Sequence, residues 1–131
     1  MNLLLDTQVV LWWKDGSRKL GPRARRSIER DAATTRISAV SAWEIAIKSR
    51  GGQLKLRAPL HLWMPEELER EGFEMLGITI EHAVAVASLP DYHADPFDRL
   101  LIAQARMEGL TIVTSDTAFE DYDVKLLDAR A

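Results

Sequence analysis

The sequence predicts an α/β protein, a three-layer α/β/α domain around a mostly parallel central sheet. Strand-like and helical segments alternate along the chain, as in a sheet covered by helices on both faces. The strand candidates are short apolar or β-branched runs, among them "NLLL" (2–5), "TTRIS" (34–38) and "LTIVTS" (110–115). The helix candidates carry start and stop signals: Pro22 and Pro96 at first-turn positions, Gly51-Gly52 and Gly109 at ends. A length of 131 residues fits one domain over 1–131, and no internal repeat, linker or low-complexity stretch divides it.

In order, "NLLL" reads as a buried strand and "TQVVLWW" as a short helix. Pro22 then opens a helix continued by "RARRSIERDA". After "TTRIS" comes "AVSAWEIAIKSR", whose Val40, Trp43 and Ile47 have helical spacing and which Gly51-Gly52 ends. A further helix is expected over 60–72, with Pro65 a break or restart inside it, then a strand over 73–80 and a helix in "EHAVAVASL". The run "HADPFDRLLIAQA" (93–105) begins a helix that Gly109 stops, "LTIVTS" is the clearest strand, and "VKLLD" (124–128) the last.

A hydrophobic share of 47% and a charged share of 28% are those of an ordinary globular protein. With no cysteine, disulfides and thiolate metal sites are excluded, which fits a reducing compartment. The apolar N-terminus is interrupted by Asp6 and lacks a basic leader, so no membrane span is expected and a cytoplasmic protein is the default. The net charge of −3 argues against a generic nucleic-acid coat. The charge is uneven, however: residues 14–30 hold Lys14, Arg18, Lys19, Arg23, Arg25, Arg26 and Arg30 against Asp15 and Glu29. That patch suits an anionic substrate, and equally a solvated helix face.

Four acids fall near strand ends or helix starts. Asp6 closes "LLLD", Asp116 follows "TIVTS", Glu44 lies early in the helix after "TTRIS", and Asp98 sits in the first turn of "PFDRLLIAQA". Ligand sites in open parallel sheets lie beyond the carboxyl ends of the strands, so the four should converge on one crevice. Capping is the competing explanation for each. Asp95-Pro96-Phe97-Asp98 reads as a helix start with Asp95 as N-cap, Ser41 to Glu44 has capping-box spacing, and Asp116 and Asp6 each precede a helical segment. Capping explains Asp95 better than Asp98. It explains Asp6 poorly, because a carboxylate ending a buried strand is costly without a partner or cation. Glu44 lies inside the apolar "AWEIAI", where no solvated face is expected. Converging carboxylates repel unless a cation neutralises them, so the set reads as a metal site.

All-oxygen ligands suit Mg²⁺ or Mn²⁺. His61, His82 and His93 show no ligand spacing and read as surface or packing residues, with His93 within reach of the crevice. A carboxylate cage around hard cations hydrolyses phosphodiesters, whereas no serine–histidine–acid set or glycine-rich phosphate loop is present.

Together "LLLDTQVVLW", "SAVSAWEIAIKSRGGQLKL", "HADPFDRLLIAQA" and "TIVTSDTAF", in order from residue 2 to about 128, resemble the PIN-domain ribonucleases, in particular toxins of the VapC type. The resemblance implies a PIN-like fold and assigns Asp6, Glu44, Asp98 and Asp116 as the metal-binding acids. Thr7 and Ser115 would be supporting hydroxyls, and Asp95 a helix cap with at most a supporting duty. It implies cleavage of single-stranded RNA or RNA loops with Mg²⁺ or Mn²⁺. It further implies a homodimer and a cognate antitoxin whose tail covers the groove. Whether Glu44 ligates metal or orients the attacking water stays open. Arg99, beside Asp98, reads as a surface salt-bridge partner ahead of the alternative, a phosphate contact, and the four tryptophans as core or interface.

Two rivals stand beside this. One is a PIN-fold module that binds RNA or protein without cutting. The other is a phosphatase of the haloacid dehalogenase kind, which needs an aspartate two residues after the first, where this chain has Gln8.

Overall fold

The computed structural model describes all 131 residues. Its elements are β1 (Leu3–Leu5), α1 (Thr7–Asp15), α2 (Pro22–Arg30), β2 (Thr35–Ser38), α3 (Ala39–Arg50), α4 (Glu66–Arg70), β3 (Glu74–Leu76), α5 (Ile80–Ala85), α6 (Pro96–Glu108), β4 (Thr111–Thr114) and β5 (Leu126–Asp128). The strands form one sheet in the order β3-β2-β1-β4-β5, and every pairing is parallel.

Alternation along β1 builds the layers. Leu3 and Leu5 belong to one core with Val9, Ala24, Ile28, Trp63 and Leu68, which brings α1, α2 and α4 onto one face. Leu4 points the other way, into a core with Leu101, Ile102, Ala105 and Phe119, which α6 covers. A strand buried on both faces has no room for polar residues, which is why "LLL" reads as continuous apolar sequence.

The chain winds from β1 outward to β3, then crosses back to lay β4 on the other side of β1. The reversal leaves a crevice beyond the carboxyl ends of β1 and β4. Gln104 ties the layers near the β2 end: its Oε1 accepts from Ser38 Oγ at 2.6 Å, and its Nε2 donates to Gly77 O at 3.2 Å.

Between residues 51 and 89 the structure departs from the expected elements. The 60–72 helix is a 3-10 turn at Leu60–Leu62 followed by five-residue α4 beyond Pro65. The 73–80 strand pairs only over Glu74–Leu76, at the sheet edge, where β2 offers just three partners. The helix after it starts at Ile80 under a Thr79–His82 capping box and tightens to 3-10 geometry at Val86–Ser88. The Ser41-to-Glu44 capping box, the competing explanation for Glu44, does not form. Ser38 is the cap of α3, accepting from Val40 N, so Ser41 and Glu44 lie inside the helix and are buried.

Candidate metal centre

The first acid stands where β1 becomes α1. Asp6 is 7% exposed, and contrary to the sequence expectation it caps: Oδ1 accepts from Gln8 N at 2.7 Å and from Val9 N at 3.4 Å. Its Oδ2 accepts from the Thr114 hydroxyl. The main chain fixes the approach, since Asp6 N donates to Val113 O at 3.1 Å. Burial pushes the Asp6 carboxyl above its ordinary value, and these hydrogen bonds only partly offset it.

Glu44 enters from α3, one turn and a half past its start, at 5% exposure. Its Oε2 pairs with Lys48 one turn on, while Oε1 is buried with no hydrogen-bond partner. A buried, unpartnered carboxylate oxygen is expensive unless something occupies its coordination space. The pairing in turn raises the Lys48 ammonium above its usual range.

Asp98 lies in the first turn of α6, whose cap is Asp95, accepting from Phe97 N at 2.8 Å and Asp98 N at 3.1 Å. Asp98 Oδ2 lies 2.7 Å from His93 Nε2. Burial, followed by the charges of Asp95, Asp6 and Glu44, pushes its carboxyl up to about 6 despite that contact. Asp116 follows β4, is exposed, and caps the 3-10 turn Thr117–Asp121 through Ala118 N at 2.9 Å.

Asp6, Glu44, Asp98 and Asp116 line one cleft of about 520 Å³, together with Thr7, Gln8, Lys48, Asp95 and Ser115. They are not equally close. One ligand atom each from His93, Asp98 and Asp116 lies within 4.8 Å of the others, a set that sequence spacing did not reveal. The donors suit a hard divalent cation: oxygen atoms predominate, and Glu44 Oε1 has an unmet need for a partner. Each acid also has a partner within the chain: Asp6 the amides and Thr114, Glu44 Lys48, Asp98 His93 and Asp116 the amide of Ala118.

Thr7 and Ser115 both line the cleft. The hydroxyl on Asp6 is that of Thr114, a residue the sequence did not single out, because β4 ends with Thr114 turned toward β1. Thr7 Oγ1 donates to Ser41 Oγ at 3.0 Å and so joins α1 to α3 instead of touching an acid. Ser115 lines the cleft without a side-chain hydrogen bond of its own to the four acids. Arg99 does pair with exposed Asp91 at 3.7 Å, but at 13% side-chain exposure it also donates to Pro90 O at 2.7 Å, Val86 O at 3.2 Å, Leu89 O at 3.3 Å and Tyr122 Oη at 3.2 Å, so it is more than a surface salt-bridge partner. Trp12 and Trp63 are core, and Trp43 is 54% exposed, edge-on to Phe97 at 5.0 Å beside the cleft.

The arginines of α2 stay away from the cleft; Arg25 stacks on Trp13 at 5.2 Å. The nearer cations are in an adjoining groove of about 430 Å³ that shares Gln8, Leu11 and Leu54 with the acid cleft and is lined by Lys14, Lys19, Lys55 and Arg57.

The PIN domain model matches residues 3–125. Over 122 residues, 92% of each chain, the sequence is 31% identical to Ribonuclease VapC22 of Mycobacterium tuberculosis. The fold is similar to that of DNA-bound VapBC from Salmonella typhimurium (TM-score 0.72, 18% identity, 98% of each chain). It is likewise similar to that of FitAcB from Neisseria gonorrhoeae (TM-score 0.68, 22% identity, 97% of each chain). A toxin-antitoxin complex from Klebsiella pneumoniae is a third match (TM-score 0.68, 18% identity, 97% of each chain).

Proposed function

Because the chain belongs to the PIN-domain family, we propose that it is an endoribonuclease and the toxin of a toxin–antitoxin pair. In this reading residues 1–131 form one such domain, and Mg²⁺ or Mn²⁺ is held among Asp6, Glu44, Asp98 and Asp116. The observation that carries it is the cleft itself: acids from four separate segments line one crevice at the switch point of the sheet, and Glu44 Oε1 is buried there without a partner. That completeness speaks against a binding module that has lost its chemistry. The 31% identical relative bears the name of a ribonuclease, which supports RNA as substrate. Structures of similar fold are described as toxin–antitoxin complexes, which supports an antitoxin partner.

When bound, Mg²⁺ or Mn²⁺ supplies a water of lowered pKa and offsets charge building on the phosphate. Everything else falls to the chain. Asp6 is held rigid by two amides and Thr114, so its oxygens face the cleft in one orientation. Glu44, with Oε2 on Lys48, keeps Oε1 as an acceptor that can take a proton from water. Lys48 is the cation in the cleft available to a phosphate oxygen. Lys19, Lys55 and Arg57 would receive the RNA backbone in the adjoining groove. No helix is long and apolar enough to cross a membrane. A homodimer belongs to this reading as well, through exposed apolar pairs such as Ile80 and Val84, one turn apart on α5.

The test is cleavage of a mixed single-stranded RNA pool with Mg²⁺ or Mn²⁺, beside Asp6→Asn, Asp98→Asn and an EDTA control. Cutting that requires both metal and carboxylates is expected, with light scattering on the same sample reporting twice the chain mass. Folded, antitoxin-free protein that leaves every RNA intact would return the binding module to first place.

A further inference from the structure

His93 reaches Asp98, one of the acids of the cleft, from the loop before α6, and nothing in its spacing marks it as a ligand. We propose that His93 coordinates the divalent ion through Nε2, together with Asp98 and Asp116, and that it biases the centre toward Mn²⁺ over Mg²⁺. The inference rests on the reading of this cleft as a metal site.

Three observations carry it. First, Nε2 lies 2.7 Å from Asp98 Oδ2, and one ligand atom from each of His93, Asp98 and Asp116 lies within 4.8 Å of the others. Bonds of about 2.0–2.2 Å to nitrogen and oxygen keep any two ligands of one ion within about 4.4 Å, so closure needs only a few tenths of an ångström.

Second, the ring is delivered by a built scaffold. His93 N donates to Tyr122 Oη at 2.9 Å, and Arg99 Nη1 reaches His93 O at 3.4 Å. The same guanidinium binds the carbonyls of Val86, Leu89 and Pro90, and Tyr122 Oη donates to Pro90 O at 3.0 Å. A half-buried arginine and a buried tyrosine are thus spent on fixing the loop that ends at His93, more than a solvated histidine needs.

Third, Glu44 Oε1 stands in the same cleft, buried and unpartnered, an independent sign that the cleft is built around something absent from the protein chain. Imidazole nitrogen favours the softer first-row ions, and Mg²⁺ prefers oxygen. A mixed nitrogen and oxygen set therefore moves selectivity toward Mn²⁺. His82 offers no competing site, because Nδ1 accepts from Thr79 N at 3.1 Å and Nε2 faces Glu108 Oε1 at 2.9 Å.

The experiment is pulsed electron paramagnetic resonance on the full chain loaded with Mn²⁺, with calorimetric titrations of Mn²⁺ and Mg²⁺ alongside. Wild type is expected to show coupling to a directly bound ¹⁴N that becomes a ¹⁵N coupling when histidine is isotopically labelled. His93→Gln should abolish the coupling, while His61→Gln should keep it. His93→Gln should weaken Mn²⁺ about 10-fold or more and Mg²⁺ by less, narrowing the preference. Should His93→Gln not fold, the labelled wild type still decides. Mn²⁺ bound with no nitrogen coupling overturns the inference and leaves a carboxylate-only centre standing. A coupling that persists in folded His93→Gln also overturns it. No Mn²⁺ bound by wild type overturns the inference and the metal reading together.

Discussion

Burial at the start of α6, together with the charges of Asp95, Asp6 and Glu44, places Asp98 in a folded-state carboxyl range near 6, against 3.8 for an unperturbed aspartate. The folded protein therefore binds the Asp98 proton more tightly than the unfolded chain does, and between pH 4 and 6 its stability falls as pH rises. The penalty is absent below the unfolded value and complete above about 6. Asp6, also raised by burial, acts in the same direction. In EDTA, Asp98→Asn should raise Tm at pH 7 by roughly 4–8 °C, for a screened penalty of about 1–2 kcal/mol, and change it little at pH 4. Added Mn²⁺ should reverse the order at pH 7, because binding needs the deprotonated acid that only wild type has. Thermal melts at the two pH values check this; an equal effect at both would show that the charge of Asp98 is not what the fold resists. At this scale the convergence of four acids on one cleft was legible, because each falls at a strand end or helix start. It did not reveal which hydroxyl meets Asp6. Thr114 and Ser115 are neighbours, and only the register that sets Leu5 against Val113 turns Thr114 toward β1.

In "HADPFDR" four side chains divide the labour of one helix start. Asp95 caps, Pro96 occupies the first turn, Asp98 faces the cleft, and Arg99 reaches back to hold 86–93. Asp95→Ala should therefore cost about 1 kcal/mol of stability by leaving the amides of Phe97 and Asp98 without an acceptor. Arg99→Met should cost more, about 2–3 kcal/mol, because the part-buried carbonyls of Val86 and Leu89 lose a charged donor. It should also weaken Mn²⁺ binding, whereas Asp95→Ala should spare it. Urea unfolding with metal titration separates the two; equal metal affinities would detach Arg99 from the site. The helix and its cap were legible because proline, acid and glycine punctuate them. The role of Arg99 was not, because its partners are main-chain carbonyls up to 13 residues away, which leave no mark on residue type. The 51–79 region was read least well for a related reason. An edge strand of three residues and a helix of five are too short to carry a period, and their ends are set by packing on β2 and α1.

Across the whole molecule, an acidic chain must still attract a polyanion. The formal charge is −3, and the cleft adds carboxylates where a phosphate has to approach. The sequence pointed to the basic run at 14–30, but folding splits it. The α2 arginines go to another face, while Lys14 and Lys19 join Lys55 and Arg57 around the groove next to the cleft. Only the packing of 53–58 against the end of α1 brings those distant residues together, so local charge counts overstated α2 and missed Lys55 and Arg57. If that groove carries the RNA, removing two of its exposed cations should act through the phosphates. Lys55→Ala with Arg57→Ala should weaken binding of a short single-stranded RNA about 10-fold and flatten the plot of log K against log salt by about 1.4, two contacts at roughly 0.7 each. The effect on cleavage should fall on KM and leave kcat close to wild type. Arg23→Ala with Arg26→Ala removes the same charge from α2 and should change both far less. Equal losses from the two pairs would mean that RNA responds to overall charge, and the groove would then have no special claim on the strand.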